Sequence, residues 1–544
     1  MVGDKCYNFR ERFCRIKTIF QKKFGGTLST EMRKMNWKDL LKPVNERSVN
    51  YKNREGKPMQ NELGRENDHR TIFKRDFDTI CRSPSLRRLQ DKAQVFPLER
   101  HDHIRTRLTH SLEVMSVAES LGEDVIGIIL EKDSDFQIDD FEERERFILS
   151  SQIRNIPTIL KSAALIHDLG NPPFGHLGED VIREWFENNL GKLFYNEEER
   201  RIFRAGSSDG LHRNIREILG DLTQDFECFD GNAQTFRTVA KLERLGNMPY
   251  GMSLSFPLLA TIIKYPNGSE PAFGNGIHKK KGTYYAEKGL YDQIQKELHL
   301  DHSRHPLAFL LEAADDIAYY TADLEDAGKK RLISSVCFLS AYDAFLRKIE
   351  NDESGDDRNP AYLQKMKSLR EEFDIIMKKD GAELESETTI MKRFMLQARG
   401  MLISGVKIAF REHYDSIMKG ELTESLLDVS DCKTIKNFLQ KMLFDKVYYC
   451  KEIIRNKIEA QKIISGLLSV LTESSVNAPE KPEDKTDYLI SSLISLNYRK
   501  VFSDSQNTDD FDAKLYLYNK ILMVLDTIAG MTDSFAKEVY ELVR

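Results

Sequence analysis

The sequence has few cysteines, and they are scattered. The seven cysteines include no CxxC pair. An odd number without close spacing argues against a disulfide framework and a zinc ribbon, and it favours a reducing compartment. The first residues, Met-Val-Gly-Asp-Lys-Cys-Tyr, lack the apolar core of a signal peptide. We therefore expect a cytoplasmic protein.

Long apolar runs and a strong charge of one sign are also missing. No run in the sequence approaches the roughly 20 apolar residues of a membrane span, so we expect no membrane partner. The net charge of -6 over 544 residues gives no gross electrostatic case for nucleic acid. There is no GxxxxGK[ST] sequence, so a P-loop fold is not supported. The 40% hydrophobic and 31% charged residues describe a globular chain, long enough for a large domain with additions or for two to three domains.

Helical periodicity dominates from Phe73 onward, and Ser83-Pro84 has the composition of a helix start. The only strand signal is a short ribbon near Ile262 and Tyr284. We predict an all-α fold with very few short strands. The later predicted helices cover residues 158–168, 178–190, 361–380, 387–417, 432–447, 449–473 and 512–543.

The stretch from Ala163 to Glu179 carries the strongest chemical signal. Adjacent His167 and Asp168 follow an apolar run, and glycines and prolines then stop the helix. Imidazole nitrogen beside carboxylate oxygen suits a catalytic divalent cation better than a structural zinc. His176 and Glu179, three residues apart, share a helix face, where the carboxylate could raise the imidazole pKa. A His-Asp helix cap and a surface His-Glu pair are the structural alternatives.

Two further helices place polar groups in apolar surroundings. His110 begins a stripe continued by Val114, Val117 and Leu121, which also fits a core histidine without a ligand role. Arg107 lies one turn earlier, and a buried arginine needs an anion. Asp315, Tyr319 and Asp323 recur every four residues along an otherwise apolar helix. Buried carboxylates must be paired or bind a cation, so this stripe indicates a site.

Other segments are less specific. Asn232 could cap a helix or line a site, and Lys264-Tyr265 ends an apolar stretch. The basic run Lys279–Lys281 could cover a polyphosphate or be a solvated loop. Residues 1–35 alternate basic and aromatic side chains, as in a partner-binding helix or a solvated extension.

In chain order His110, His167-Asp168 and Asp315 form an H…HD…D pattern, which resembles the HD superfamily of metal-dependent phosphohydrolases. The neighbouring sequence narrows the resemblance to the bacterial deoxyguanosine triphosphate triphosphohydrolases. The segments that look like this family are residues 86–100, 106–114, 167–179, 312–319 and 526–533. The resemblance runs from about residue 36 to 544 and is strongest across 80–325.

The resemblance implies an HD-domain helical core with additional C-terminal helices. Residues 1–35 would be a basic extension, 36–345 the catalytic core, and 346–544 a helical region completing the substrate pocket and oligomer contacts. The family cleaves a deoxynucleoside triphosphate between the 5′ oxygen and the α-phosphorus, releasing deoxynucleoside and tripolyphosphate. A homo-oligomer, often a hexamer, and single-stranded DNA as a regulator are further expectations.

The resemblance also implies a role for each matching residue. One divalent ion, Mn or Mg, would be bound by His110, His167, Asp168 and Asp315. His176 with Glu179 would form the catalytic pair. The residues expected around sugar, base and phosphates are Gln94, Arg107, Asn232, Lys264, Tyr265, Tyr319 and Asp323. Tyr319 beneath the deoxyribose would exclude a 2′-hydroxyl. Asp230 stands where the family usually has Glu, which affects contacts made through that position.

Three alternatives stay open. The chain could be an HD hydrolase for other deoxynucleoside triphosphates or for a guanosine alarmone. It could be a nucleotide-sensing protein, although the presence of both His176 and Glu179 favours an enzyme. Binding of single-stranded DNA would be a secondary role in a mildly acidic chain.

Overall fold

The computed structural model describes residues 34–50, 68–98, 103–133, 149–193, 214–244, 250–271, 276–351, 360–379, 384–477, 490, 492–506 and 512–544. This part of the chain is all-α, as predicted. Its β-structure consists of two isolated bridges, Asn45 with Ser255 and Ala93 with Thr106. The predicted extension lies outside these residues except for its last two.

The predicted ribbon near Ile262 and Tyr284 is wrong within the described ranges. A helix ends at Ile262, and a loop through Gly268 follows. The Gly268 carbonyl accepts from the N–H groups of Gly282 and Thr283, so the two segments meet without forming a ladder. Pro266, which has no N–H to donate, lies in the same loop.

Helices α1 to α7 lead through the first motifs. Their bounds are α1 Trp37–Leu40, α2 Glu46–Asn50, α3 Ile72–Arg82, α4 Pro84–Arg88, α5 Arg107–Lys132, α6 Ile156–Ile166 and α7 His176–Asn189. The Ser83 hydroxyl caps α4 by accepting from the Leu86 N–H at 3.2 Å, as its sequence predicts. His167 and Asp168 lie directly after α6, and His176 opens α7.

Helices α8 to α13 form the middle of the chain. Their bounds are α8 Ile215–Leu219, α9 Gln224–Glu227, α10 Gly231–Arg237, α11 Phe256–Ile262, α12 Lys288–Glu297 and α13 Pro306–Lys329. A π-helix, Thr238–Leu242, continues α10, and short 3₁₀ turns cover Leu89–Asp91, Gly220–Thr223, Gly276–His278 and Tyr285–Glu287. Asp230, rather than Asn232, caps α10, because its carboxylate accepts from the Asn232 N–H at 2.9 Å.

Helices α14 to α22 follow. Their bounds are α14 Ser335–Asn351, α15 Pro360–Lys379, α16 Leu384–Glu412, α17 Tyr414–Met418, α18 Lys433–Lys446, α19 Lys451–Asn477, α20 Leu496–Ser505, α21 Ala513–Ala529 and α22 Asp533–Val543. The predicted helix over 512–543 is two helices, since Thr532 caps α22 after a break at Gly530. The predicted helix over 387–417 is likewise divided between α16 and α17, and α20 was not predicted.

Three long helices carry the candidate ligands into the core. Helix α5 packs along α6 and α13, and α13 packs along α16. The α5 stripe of His110, Val114, Val117 and Leu121 is buried, which confirms the prediction. None of the described helices is long and apolar enough to cross a membrane.

The hydrophobic interior forms two clusters. One draws its buried side chains from between Met35 and Ile453, and the other from between Phe174 and Val539. Residues after 346 contribute to both clusters. The division of the chain into a catalytic core and a C-terminal region stays a prediction.

A buried ion-pair network fastens α21 to the middle of the chain. Arg237 donates to both carboxylate oxygens of Asp526, each at 2.7 Å, and to Glu287 at 2.6 Å. Gln234 adds a bond to Asp526 at 2.9 Å. All these side chains are buried. A buried charge is tolerated only with its partner in place, so α10 and α21 depend on each other.

Asp526→Ala should lower the free energy of unfolding by about 3–5 kcal/mol, because it leaves the Arg237 guanidinium poorly compensated in the core. The matched control is Asp415→Ala. Asp415 pairs with Lys34, but both side chains are exposed, Lys34 by 39% and Asp415 by 71%, and a loss within about 1 kcal/mol is expected. Urea unfolding followed by circular dichroism gives both values. Equal losses in the two variants would contradict the assigned role of the network.

Candidate active site

The four predicted metal ligands come together from three helices. Helix α5 presents His110, the turn after α6 presents His167 and Asp168, and α13 presents Asp315. Donor atoms of the first three lie within 4.8 Å of one another. Asp315 Oδ1 lies 3.1 Å from His110 Nε2 and 3.4 Å from His167 Nε2. Two imidazole nitrogens and one Asp168 oxygen thus face one point, and the Asp315 carboxylate adjoins both imidazoles.

Hydrogen bonding orients the His167 ring for ligation. Its Nδ1 lies 2.7 Å from the Ala164 carbonyl oxygen, which assigns the proton to Nδ1. Its Nε2 is buried and has no hydrogen-bond partner among the described residues. An imidazole held in this way through one nitrogen is the usual arrangement of a metal-ligating histidine.

Electrostatics favour a cation at the centre of the group. Burial favours the neutral ring of His167, but the carboxylates of Asp168 and Asp315 outweigh burial and raise its pKa to about 9. Burial also disfavours the charge on Asp315, yet His167 beside it lowers the Asp315 pKa well below its usual range. The carboxylates therefore stay ionised and attract positive charge. A mixed nitrogen and oxygen set of this kind suits a catalytic divalent ion better than a structural zinc.

Arg107 holds Asp168, one of the candidate ligands, in position. It is buried, and its Nη1 donates to Asp168 Oδ2. Its Nη2 lies against Gly175, where a Cβ atom would come within 2.4 Å of it. Gly175 also has a φ of 58°, which non-glycine residues rarely adopt. Glycine is thus required at the residue directly before His176.

His176 and Glu179 form the predicted pair at the start of α7. The His176 side chain is 75% exposed, whereas that of Glu179 is 6% exposed. Their Nδ1 and Oε2 atoms lie 3.4 Å apart, and this hydrogen bond raises the pKa of His176. The other Glu179 oxygen accepts from the Gly231 N–H at 3.0 Å. A fixed carboxylate therefore supports an imidazole that faces solvent.

Asn171 connects this pair to the ligand group. Its side-chain amide donates to Asp168 Oδ1 at 2.5 Å. A Cβ atom on Gly231 would come within 2.0 Å of the Asn171 amide oxygen and 2.7 Å of Glu179. Asp168, Asn171, Gly231 and Glu179 thus form one continuous set of contacts. His176 stands at its outer end.

Lys264 and Lys280 each form an ion pair with a carboxylate. Lys264 Nζ lies 3.3 Å from Glu312, whose other oxygen accepts from Arg304 at 2.6 Å. Burial opposes the charge on Lys264, but Glu312 raises its pKa, so the amine stays protonated. The second lysine, Lys280, lies in the basic run.

Lys280 connects two other predicted positions. Its Nζ donates to Asp230 and lies 5.9 Å from the centre of the Tyr265 ring. Asp230 also accepts from the Asn232 side-chain amide at 2.7 Å. Lys281 is buried and pairs with Asp225 at 2.7 Å. Part of the basic run is therefore anchored rather than a freely solvated loop.

Tyr319 and Asp323 lie on α13, and their hydroxyl and carboxyl groups meet Tyr448 from the segment between α18 and α19. Gln94 lies beside the Ala93–Thr106 bridge, and its buried Oε1 has no partner in the described part of the chain. The structure thus places Gln94 near the start of α5, but it shows no direct contact between Gln94 and the ligand group.

Sequence reasoning missed three supporting residues. Asn171 is adjacent to the His-Asp motif, and this position could have signalled it. Asp533 accepts from the Phe174 N–H at 2.9 Å and from the Ala93 N–H at 3.0 Å. Nothing local to Asp533 or Tyr448 in the sequence indicates the site, because both reach it only through the fold.

His167→Ala should weaken Mn²⁺ binding at least about tenfold, because it removes an oriented nitrogen donor. The matched control is His299→Ala: His299 lies 3.1 Å from Asp39 but belongs to a single pair at the surface. Mn²⁺ titration followed by electron paramagnetic resonance measures both. Unchanged Mn²⁺ affinity in His167→Ala would overturn the ligand assignment.

Comparison with known proteins agrees with the family resemblance of the sequence motifs. No family model matches the chain. A deoxyguanosinetriphosphate triphosphohydrolase-like protein of Listeria monocytogenes is 38% identical over 482 residues, covering 87% of this chain and 94% of its own. One from Listeria innocua is 37% identical with the same coverage. A deoxyguanosinetriphosphate triphosphohydrolase of Enterobacter sp. is 29% identical over 498 residues, 86% of this chain and 93% of its own. The chain belongs to the deoxyguanosinetriphosphate triphosphohydrolase family.

Proposed function

We propose that this enzyme hydrolyses deoxynucleoside triphosphates, dGTP in preference, to deoxynucleoside and tripolyphosphate. The observation that carries the proposal is the continuous contact between a mixed nitrogen and oxygen donor group and an exposed, carboxylate-supported imidazole. Such a site can bind a cation and donate a proton to the same substrate. Two relatives, each 29% identical to this chain, are named for dGTP hydrolysis.

A divalent ion would be bound by His110, His167, Asp168 and Asp315. When bound, it would neutralise phosphate charge and lower the pKa of water. Arg107 holds Asp168 in place through its own ion pair. Asn171 holds the other Asp168 oxygen. The orientation of the ligand group thus depends on residues that do not themselves bind the ion.

The basic residues around the site fit a polyphosphate. A triphosphate carries several negative charges, and its transfer reactions require cations that spread them. Lys264 and Lys280 supply positive charge from the segment after α11 and from the basic run. Lys264 pairs with Glu312, and Lys280 pairs with Asp230. A phosphate oxygen would compete with these carboxylates for the two lysines.

His176 would act as the general acid. The 5′ alkoxide is a poor leaving group, so a proton delivered to the 5′ oxygen lowers the barrier. Glu179 stabilises the protonated imidazole, and the exposed position of His176 lets it reach a substrate. Tyr319 would lie beneath the sugar and exclude a 2′-hydroxyl. The expected homo-oligomer, single-stranded DNA regulator and cytoplasmic location stay predictions.

Hydrolysis in ¹⁸O-labelled water should place the label in tripolyphosphate and none in the nucleoside, since attack is at the α-phosphorus. Chromatography of the products from each of the four deoxynucleoside triphosphates identifies the substrate preference, with dGTP expected to react fastest. Nucleoside monophosphate with pyrophosphate would instead assign the enzyme to another reaction class. A guanosine alarmone in the same assay tests the alternative HD substrate.

His176→Ala should leave Mn²⁺ binding nearly intact while kcat falls by roughly 10²-fold or more. Glu179→Ala should lose most of that factor, and the double variant little beyond it, because the two residues act as a unit. Glu184→Ala is the matched control, since Glu184 is an exposed glutamate on the same helix. Loss of Mn²⁺ from His176→Ala would make His176 a ligand.

A further inference from the structure

A second cavity lies between α20, α21 and the π-helix that continues α10. Its volume of about 370 Å³ is within the usual range of small-molecule sites. Its lining includes four aromatic side chains, those of Tyr285, Tyr498, Phe502 and Tyr518. The described residues that line it include no candidate metal ligand and neither member of the catalytic pair. The cavity is therefore separate from the candidate active site.

The aromatic wall of this cavity is held by its own contacts. Tyr518 is buried, and its hydroxyl donates to Asp225 at 2.7 Å. The Tyr285 ring stands at 90° to the Tyr518 ring, with centroids 6.0 Å apart. Phe502 packs edge-on against Tyr516, with centroids 5.5 Å apart. The wall is thus formed before a ligand arrives, which lowers the entropic cost of binding.

Glu287 supplies an unpaired polar atom in this wall. One of its carboxylate oxygens accepts from Arg237 at 2.6 Å. The other, Oε2, is buried and has no hydrogen-bond partner among the described residues, and the side chain is 0% exposed. Buried polar atoms in native proteins are almost always paired. An unpaired carboxylate oxygen in the wall of a cavity indicates a ligand with an N–H or O–H donor.

The charges around the cavity favour an uncharged ligand. Each cation in its described lining already has a carboxylate partner. The pairs are Arg237 with Glu287, Lys241 with Glu46, and Arg244 with Asp504. An anion would meet the unpaired oxygen of Glu287, and a cation would meet the three basic side chains. Both would lose hydration without a free partner of opposite charge.

The ligand must therefore be flat, uncharged and a hydrogen-bond donor. Purine bases stack on aromatic side chains through their faces. Guanine also presents two adjacent N–H donors, at N1 and at the exocyclic amine, and a carboxylate oxygen is the acceptor that suits them. A nucleoside fits better than a nucleotide, because a phosphate would add negative charge.

A chain of contacts connects the cavity to the turn that carries His167. Arg237 ends α10, and Thr235 lies two residues before it. The Thr235 hydroxyl donates to the His167 carbonyl oxygen at 2.9 Å and accepts from the Gly170 N–H at 2.8 Å. A ligand that bonds to Glu287 would change the environment of Arg237 and, through α10, bear on this turn.

We propose that this cavity binds an uncharged guanine nucleoside, and that its occupation slows the reaction at the candidate active site. The binding stands on the cavity by itself. The slowing rests on the proposed function, under which a guanine nucleoside is the product. The cavity then gives the enzyme feedback from its product at a place where the substrate does not bind.

Equilibrium dialysis of the full chain with tritiated guanosine tests the binding. Phe502→Ala removes one aromatic face and should weaken guanosine binding about tenfold. The matched control is Phe535→Ala, since Phe535 is 48% exposed on α22 and does not line the cavity; its affinity should equal that of the wild type. Adenosine has no N1–H donor and should bind the wild type about tenfold more weakly than guanosine.

Inhibition of dGTP hydrolysis by deoxyguanosine tests the slowing. In the wild type deoxyguanosine should lower the apparent kcat as well as raise the apparent KM, because it binds at the cavity and at the active site. Phe502→Ala should raise the inhibition constant acting on kcat about tenfold and leave the competitive constant unchanged. Without inhibitor, its kcat and KM should stay within about twofold of the wild type. Glu287→Gln keeps an acceptor for Arg237 and should show the same selective loss.

The outcomes separate this inference from the proposed function. Equal guanosine affinity in the wild type, Phe502→Ala and Glu287→Gln would overturn the site, and purely competitive inhibition of the wild type would overturn the feedback. If Glu287→Gln does not fold, Phe502→Ala decides by itself. A wild-type enzyme that hydrolyses no deoxynucleoside triphosphate overturns the proposed function, whereas the dialysis still decides whether the cavity binds a guanine nucleoside.

Discussion

The ion pair between Arg107 and Asp168 joins the two sides of the site. Arg107 begins α5 and is 2% exposed, while Asp168 lies in the turn after α6. Neither charge would be stable there alone, because burying an unpaired ion costs several kcal/mol. The same guanidinium lies against Gly175, at the residue before α7 begins. One pair therefore sets the position of a candidate ligand and the starting point of the candidate acid, His176.

The end of the chain supports this arrangement from the other side. Asp533 accepts backbone hydrogen bonds from the segments of Ala93 and Phe174. Lys92 donates to the carbonyl oxygens of Asn171, at 2.5 Å, and Ala529, at 2.8 Å. These side chains satisfy backbone groups that would otherwise be buried without partners. The turn that carries His167 and Asp168 is thus completed by contacts with α21 and α22.

Several buried polar atoms at the predicted site lack a hydrogen-bond partner among the described residues. Gln94 Oε1, Arg107 Nε, His167 Nε2 and Asp323 Oδ1 are buried and have no hydrogen-bond partner in the part of the chain that the structure describes. Each lies at or beside a position that the motifs had marked. Proteins normally pair such atoms, and they leave them unpaired chiefly where a ligand, ion or water completes the site. The fold does not itself satisfy these buried polar atoms, and such local conflicts are typical of functional positions.

The sequence by itself determined the all-α fold, and it was enough to predict the H…HD…D pattern as a ligand set and the α13 stripe as a site, because helical periodicity and adjacent motif residues are local properties. His110 with its buried stripe and Glu179 beside His176 follow directly from spacings of three and four residues. Helix caps were harder to predict from the sequence: Asp230, rather than Asn232, caps α10. Only the tertiary structure brought Asp533, Lys92 and Tyr448 into contact with segments of the candidate site. Their contacts join segments far apart in the chain, and no local pattern encodes which distant helix end will meet a given loop.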